Sequence, residues 1–303
     1  MFPRPIGAGY PGKSVDRMHR VMTESSDRAQ RVAPYDLASA AHDYPVWEGP
    51  PRRTVLLCTH PRSGSTLLGE ALYFAGGLGC PLEYFHAGFR PSFARRWGAP
   101  DHDSLSTAVR RHRTTPDGTM GVKLFWRDIE EIARDADPEL ERFTNLPPSD
   151  VPADYYAALA GHVARLFPNP SFIHLWREDK LRQAVSAVLA VETGRWRSIP
   201  GTTQETGPAT APFDVERIER IMGYSDFCHG HFRNLFAAMG ATPHGLTYEA
   251  LTADYAASVR AVLRHLGSDA EPQMPRMRRQ ADSASEAMVL RYLRERATPV
   301  RVA

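Results

Sequence analysis

Short apolar runs alternate with amphipathic stretches along most of the chain. Four runs are brief and rich in β-forming residues, which is typical of buried parallel strands. These runs are residues 54–58, 119–126, 171–176 and 245–248. Between them, apolar positions recur at helical spacing. Strands that alternate with helices predict an α/β fold, here a three-layer α/β/α sandwich around a parallel sheet.

The pattern also predicts how the chain divides. Residues 1–51 are rich in Pro, Gly, Arg and Ser and are interpreted as an N-terminal extension, partly disordered or draped over the domain. A role as a partner-binding arm stays open. Residues 52–297 are predicted to form a single domain, and 298–303 a C-terminal tail. Its 303 residues are enough to bury a sizeable core.

The first strand leads into the loop His60-Pro61-Arg62-Ser63-Gly64-Ser65-Thr66, followed by helical spacing to Ala75. A strand, a loop of small residues and a helix N-terminus together bring unpaired N–H groups to one point, where the helix dipole favours an anion. Arg62 can neutralise an oxyanion, and Ser65 and Thr66 can donate hydroxyl hydrogen bonds. The plainer alternative is a strand–helix turn with a capping serine.

This loop differs from the usual nucleotide cradle. A Walker A motif reads G-x-x-x-x-G-K-[ST], with lysine before the hydroxyl residue. Here Gly64 is followed directly by Ser65 and Thr66, and Arg62 precedes the glycine. The loop therefore indicates phosphate binding for a group transfer that needs no metal.

The segment PRSGST resembles the 5′-phosphosulfate loop of sulfotransferases that use 3′-phosphoadenosine 5′-phosphosulfate, and most of all the bacterial trehalose 2-sulfotransferase type. The resemblance implies a P-loop-like phosphosulfate-binding loop and this donor as the co-substrate. The loop residues that it assigns to the donor are Arg62, Ser63, Gly64, Ser65 and Thr66.

Glu83 stands in the segment Pro81-Leu82-Glu83-Tyr84-Phe85. A carboxylate among apolar rings loses hydration, so we expect a raised pKa that suits proton transfer near neutral pH. On residue type alone, an exposed loop glutamate is the more common outcome. In the resembled type a glutamate at this place is the proposed base, and Glu83 matches it.

Lys123 lies inside the second apolar run, Gly121-Val122-Lys123-Leu124-Phe125-Trp126. A buried, unpaired charge is costly, so this lysine must reach water or an anion. A lysine extended to water at a strand end is one interpretation. The other is a catalytic cation, since the run resembles the family's strand with an equivalent lysine beside Arg62.

Two further elements resemble the family's contacts to the 3′-phosphate of the donor. Arg177 follows the third strand directly, and Ser186 comes nine residues later in the next helix. Near the C-terminus, RRQAD resembles an element that folds back over the nucleotide, which assigns Arg278 and Arg279 to the same phosphate. Taken singly, Ser186 is also compatible with an ordinary helix surface, and the arginines with a solvated charge run.

Composition excludes several classes of protein. The net charge of +2 argues against nucleic-acid binding. Three scattered cysteines suggest neither a disulfide framework nor a zinc site, and no metal is expected. The absence of a long apolar run and of a signal-peptide pattern predicts a cytoplasmic protein with no membrane span.

Two stretches are expected to face the acceptor or a partner. Residues 89–113 form a basic stretch interpreted as irregular, which either covers the acceptor site or meets a second subunit in a homodimer. Residues 198–212 form a polar loop of a length usually found only in functional or disordered segments, and are interpreted as a lid or an acceptor contact.

The sequence therefore predicts transfer of a sulfonate from the donor to a hydroxyl of a small acceptor, such as trehalose, another carbohydrate or a glycolipid precursor. The predicted catalytic residues are Glu83 as base, with Lys123 and Arg62 as cations. Two alternatives stay open at this point: a nucleotide-dependent kinase, and a nucleotide-binding module without turnover.

Overall fold

The computed structural model of the chain describes residues 35–196, 211–277 and 283–297. Its sheet has four parallel strands in the order β2-β1-β3-β4, so that β1 lies between β2 and β3. Leu57 of β1 is opposite Lys123 of β2 and Ile173 of β3. The strands are β1 Arg53–Thr59, β2 Thr119–Phe125, β3 Pro170–Trp176 and β4 His244–Thr247.

Helices cover both faces of the sheet, which confirms the predicted three-layer α/β/α sandwich. In the described chain they are α1 Ser65–Ala75, α2 Arg90–Trp97, α3 His102–Arg113, α4 Trp126–Ala136, α5 Ala153–Leu166, α6 Lys180–Thr193, α7 Val215–Ala238, α8 Tyr248–Ala253, α9 Tyr255–His265 and α10 Ser283–Ala297. Short 3₁₀ helices lie at Ala40–His42, before β1, and at Pro138–Phe143, between α4 and α5.

The alternation of side chains along β1 explains the two layers. Leu56 and Cys58 pack into a core with α3, α4, α5 and α7, whereas Val55 and Leu57 pack with α1, α8 and α9. Successive strand residues point to opposite faces of the sheet, and helices cover both faces. Both sets are therefore fully buried, and the sequence of the strand is one continuous apolar run. A third core joins α6, α7 and α10.

The stretch 89–113, predicted to be irregular, instead contains the two helices α2 and α3. Gly98, with φ 61°, ends α2 in the left-handed conformation. Asp101 then caps α3, because its side chain accepts from the N–H of Ser104 and the Ser104 hydroxyl accepts in return from the N–H of Asp101. This reciprocal capping box starts a helix that the basic composition conceals.

Two smaller predictions, one about the end of a strand and one about the extent of a helix, are also wrong. Trp126, predicted to end the second strand, is the first residue of α4. The predicted single helix over 249–266 is divided into α8 and α9 at Asp254, whose side chain accepts from the N–H of Ala257. An aspartate that caps the second helix adopts a non-helical backbone conformation itself, and this ends the first helix.

Residues 35–51 pack against the domain. Leu37 is buried, and Arg113 at the end of α3 is fully buried against this segment. Its guanidinium donates to the carbonyls of Leu37 (2.8 Å) and Ser39 (3.1 Å) and pairs with Asp43 (Nε–Oδ1 3.0 Å). A buried guanidinium needs such partners for its N–H groups, so Arg113 is one of the residues that hold the described part of the predicted extension against the domain.

The carboxyl ends of all four strands meet at one edge of the sheet. In open α/β sheets this edge is where ligands bind. The loop after β1 lies there, as do Arg177 after β3 and Tyr248 after β4. Among the described helices, none combines the length and the apolar character that crossing a membrane requires.

Candidate active site

The loop after β1 adopts the conformation that an anion site requires. Gly64 has φ 82° and precedes α1 as its N-cap residue. A Cβ at Gly64 would lie 2.8 Å from Cδ2 of Tyr248, so both the backbone angle and the space demand glycine. Since glycine has no side chain to cap the helix, the first N–H groups of α1 point into the site without an acceptor from the N-cap.

Arg62 lies in the same loop, half-buried, with its side chain held by two uncharged acceptors. Its Nε donates to Oγ of Ser186 (2.9 Å) and its Nη1 donates to the carbonyl of Trp196 (2.6 Å). Burial, and to a lesser extent repulsion from Arg177, lowers the pKa of Arg62 to about 10. The guanidinium therefore stays charged at neutral pH. The structure thus brings Arg62 and Ser186, 124 residues apart in the sequence, into direct contact.

Close backbone packing places Glu83 beside β2. After α1 the chain turns back along the outer edge of β2, and the N–H of Lys123 donates to the carbonyl of Leu82 (3.0 Å). Two glycines permit this approach: a Cβ at Gly79 would lie 2.2 Å from the backbone N of Gly121, and one at Gly121 2.9 Å from a carbonyl oxygen. The next residue after Leu82 is the predicted base.

Glu83 and Lys123 form an ion pair at the edge of the loop. Nζ of Lys123 lies 2.8 Å from Oε1 of Glu83 and 3.4 Å from Oγ1 of Thr66. The lysine is only 1% exposed, whereas the glutamate side chain keeps 19% of its surface accessible. The interpretation of Lys123 as a lysine extended to water is therefore wrong, because its ammonium faces the carboxylate and the loop.

The expectation of a raised pKa for Glu83 is also wrong. Burial raises the pKa of this carboxyl, but the charge and the hydrogen bond of Lys123 outweigh burial, and the pKa lies below its ordinary value. An opposite charge at hydrogen-bond distance favours the ionised carboxylate more than desolvation disfavours it. Glu83 is consequently ionised at neutral pH and able to accept a proton.

Arg177 lies across the loop from Lys123 and is largely buried. Its guanidinium stacks on the ring of Tyr248 (4.5 Å to the centroid), and its Nε is 3.9 Å from Oε1 of Glu249. Its Nη1 is 3.5 Å from the carbonyl of Arg62. The stacking and the carboxylate hold the planar group in place. The first two residues of α8 thus fix Arg177, and nothing in the sequence near it indicated them.

The remaining predicted residues divide into two groups. Ser65 and Thr66 open α1 at the site, as predicted, but the hydroxyl of Ser63 is fully buried and accepts from Nε2 of Gln183 (2.9 Å). The hydroxyl of Ser63 is therefore engaged by α6. Arg278 and Arg279, and residues 198–210 of the predicted lid, lie outside the described residues.

His86, three residues after Glu83, is a second titratable group close to the predicted base. It is 1% exposed, and its Nδ1 is 3.4 Å from Oδ1 of Asp128. Burial lowers the pKa of His86, but the hydrogen bond and the charge of Asp128 raise it. The charge of Glu83 raises it as well, and the net shift is upward. The charged form of this imidazole is therefore more favoured than in an ordinary histidine.

The donor that the sequence implies fits this arrangement. Three cationic side chains, from Arg62, Lys123 and Arg177, surround the N-terminus of α1, and Ser186 adds a hydroxyl. This set of cations and hydrogen-bond donors suits a ligand with two separate phosphate groups. In the part of the chain that the structure describes, no three His, Cys, Asp or Glu side chains are grouped so as to hold a metal ion.

Comparison with known proteins agrees with the geometry. The chain is similar to trehalose 2-sulfotransferase of Mycobacterium tuberculosis (strain Erdman), with 30% identity over 270 residues that cover 80% of this chain and 95% of that protein. It is 28% identical to trehalose 2-sulfotransferase of Mycolicibacterium smegmatis over 272 residues, which cover 79% of this chain and 94% of that protein.

Structural comparison gives a weaker match. The sulfotransferase domain from the Synechococcus PCC 7002 olefin synthase is 14% identical, with a TM-score of 0.35 over 84% of this chain and 91% of that domain, too low for any argument about the site. The family model is decisive, because residues 54–295 match the one described as Stf0 sulphotransferase. The chain therefore belongs to the Stf0 sulphotransferase family.

Proposed function

We propose that this protein transfers a sulfonate group from 3′-phosphoadenosine 5′-phosphosulfate to a hydroxyl group of a carbohydrate, with trehalose as the first acceptor to test. The observation that carries the proposal is the pair of Glu83 and Lys123 beside the loop, because it combines a base and a cation within 2.8 Å. Relatives named as trehalose 2-sulfotransferases support the choice of acceptor.

Each charged residue has a defined task in this reaction. The donor supplies an activated sulfonate, whose bond from sulfur to the 5′-phosphate oxygen breaks as the acceptor oxygen bonds to sulfur. Glu83 accepts the proton of the attacking hydroxyl. Lys123 and Arg62, with the N–H groups that open α1, stabilise the negative charge that grows on the departing phosphate oxygen. Hydrogen-bond donors and cations that are fixed in place before the reaction stabilise such charge most effectively.

Arg177 and Ser186 bind the 3′-phosphate in this proposal. Arg177 is fixed by Tyr248 and Glu249, and Ser186 is fixed by Arg62, so both are oriented before a ligand arrives. The sequence adds Arg278 and Arg279 to the same phosphate, and these two remain a proposal from the sequence alone. A ligand held at both of its phosphates cannot rotate, which aligns the sulfonate with Glu83 and Lys123.

Product analysis tests the proposal directly. The purified chain is incubated with the donor and trehalose, and the mixture is analysed by mass spectrometry for trehalose carrying one added sulfonate, and for adenosine 3′,5′-bisphosphate in equal amount. Other disaccharides and a lipid-linked sugar serve as comparison acceptors. Consumption of the donor without a sulfated sugar would contradict a carbohydrate acceptor, and tight nucleotide binding without any turnover would favour a binding module.

Chelation is expected to leave the activity unchanged. Arg62 and Lys123 supply the positive charge that a P-loop enzyme takes from lysine and Mg²⁺. The measurement is the rate of sulfonate transfer with excess EDTA, with added Mg²⁺, and with neither. Loss of activity in EDTA with recovery in Mg²⁺, or phosphate transfer from ATP, would contradict the proposed chemistry.

Arg177→Ala is expected to weaken binding of adenosine 3′,5′-bisphosphate by about 10- to 100-fold, because a charge-assisted hydrogen bond to a phosphate contributes about 1.5–3 kcal/mol. Binding of adenosine 5′-phosphate should change little, and calorimetry of both nucleotides measures the difference. Arg165→Ala is the matched control, since Arg165 lies on α5 and pairs with Asp103. Equal losses for both nucleotides would show that Arg177 does not recognise the 3′-phosphate.

A further inference from the structure

Arg62 has a backbone conformation that residues with side chains rarely adopt. Its φ is 65°, in the left-handed region, and it is followed closely by Gly64 with φ 82°. The left-handed region crowds the β-carbon of an L residue, so the surrounding contacts must hold Arg62 there. Such a conformation at a ligand-binding loop raises the question of which contacts hold it.

Gln183 of α6 makes these contacts. Its Nε2 donates to the carbonyl of Pro61 (2.9 Å) and to Oγ of Ser63 (2.9 Å), the residues directly before and after Arg62. The side chain is only 1% exposed, so water does not compete for these hydrogen bonds. One amide group therefore links the backbone carbonyl before the left-handed residue to the side-chain hydroxyl after it.

The same helix also holds the side chain of Arg62. Ser186 follows Gln183 by three residues, which places both on one face of α6. Its hydroxyl accepts from Nε of Arg62 at 2.9 Å. Gln183 thus fixes the backbone of this residue and Ser186 its guanidinium. Neither the loop nor α6 can shift alone without breaking one of these hydrogen bonds.

A buried chain of hydrogen bonds sets which end of the Gln183 amide faces the loop. Nζ of Lys180 donates to Oγ of Ser225 (3.0 Å), and Oγ of Ser225 donates to Oε1 of Gln183 (3.0 Å). The carbonyl of Pro61 can only accept, so the end of the amide that contacts it is the NH₂ group. Ser225, which accepts from the ammonium of Lys180, has its own hydrogen for the other end of the amide. The carbonyl end of the amide therefore faces Ser225, and the NH₂ end faces the loop.

We propose that Gln183 is a positioning residue, which keeps Arg62 in the left-handed conformation and so aims its guanidinium and the loop N–H groups at the donor. Lys180 acts through Ser225 to orient the amide. The effect on donor binding rests on the proposed function, whereas the effect on the conformation of Arg62 does not.

The experiment compares Gln183→Met with Val188→Ala and Ser225→Ala. Methionine keeps the length of glutamine without its N–H groups. Val188 is buried in the core of α6, α7 and α10, so its truncation lowers stability without touching the loop. For each variant, a nucleotide-free crystal structure gives φ of Arg62, calorimetry gives the affinity for adenosine 3′,5′-bisphosphate, and thermal unfolding gives the loss of stability.

Gln183→Met is expected to move Arg62 out of the left-handed region and to weaken nucleotide binding at least about 10-fold, the loss typical of one charge-assisted hydrogen bond. Val188→Ala should retain φ and affinity, and Ser225→Ala should fall between the two. A positive φ and unchanged affinity in Gln183→Met would overturn the inference. An unchanged Ser225→Ala would overturn the role of Lys180. If the wild-type chain failed to bind the nucleotide, the proposed function would fail, and φ of Arg62 would still decide the role of Gln183.

Discussion

Lys123→Met is expected to lower turnover by about 10²- to 10³-fold, the loss typical when one preorganised group that stabilises transition-state charge is removed. The affinity for adenosine 3′,5′-bisphosphate should change far less. Charge accumulates on the departing oxygen only as its bond to sulfur breaks, so the contribution of the ammonium is concentrated in the transition state. Methionine fills the buried site of Lys123 without its charge. Steady-state kinetics and calorimetry separate the two effects.

The same variant should also change the pH dependence of the reaction. Burial raises the pKa of Glu83 and Lys123 lowers it, with a net shift below the ordinary value. Without the lysine the pKa of Glu83 rises, so the base becomes protonated at a higher pH and the acid limb of kcat/KM moves upward. A merely structural lysine would not move this limb.

Lys123→Arg is the matched control. It keeps the positive charge but replaces a compact ammonium with a planar fork, and it should recover only part of the activity. Equal losses in turnover and in nucleotide affinity, or normal turnover in Lys123→Met, would contradict the assigned role.

Glu83→Gln is expected to lower turnover by about 10²- to 10⁴-fold, the range for loss of a general base. Affinity for the nucleotide should be retained or increased, because Lys123 no longer pairs with a carboxylate and its ammonium is free to meet the ligand. Calorimetry with adenosine 3′,5′-bisphosphate and single-turnover kinetics with the donor measure the two quantities separately.

The pH profile gives an independent test of Glu83. In the wild-type chain the low pKa of Glu83 keeps the base active to a pH below the ordinary value for a glutamate, and in Glu83→Gln this acid limb should disappear. Near-normal turnover by Glu83→Gln would assign the base to another group. His86 is the next candidate, and His86→Asn combined with Glu83→Gln would test it.

Much of the site could be predicted because its chemistry lies in short segments. The loop Pro61-Arg62-Ser63-Gly64-Ser65-Thr66 follows a strand and opens a helix, and this local pattern is typical of an anion site. Lys123 was unusual because only three of the 37 basic residues are lysines, and it stands in a strand. The structure brings Arg62, Lys123, Arg177 and Ser186 to the same edge of the sheet.

The missed features depend on contacts between distant segments. The pKa of Glu83 was predicted in the wrong direction because its ion-pair partner is 40 residues away. Gln183 and Tyr248 contact the loop only after α6 and α8 pack against it. For Gln183 a signal was present, since it lies three residues before Ser186 on the same helical face. For Tyr248 the sequence offered none.

A single-turnover experiment shows whether the sulfonate moves from the donor to trehalose with Glu83 as the base. Enzyme in excess is mixed with donor labelled in its sulfonate sulfur and with trehalose, in the presence of EDTA, and quenched samples are analysed by mass spectrometry. We expect the label to appear on trehalose at the rate at which adenosine 3′,5′-bisphosphate forms, and both rates to fall together in Glu83→Gln. Labelled inorganic sulfate in place of labelled trehalose, or a transfer rate unaffected by Glu83→Gln, would contradict it.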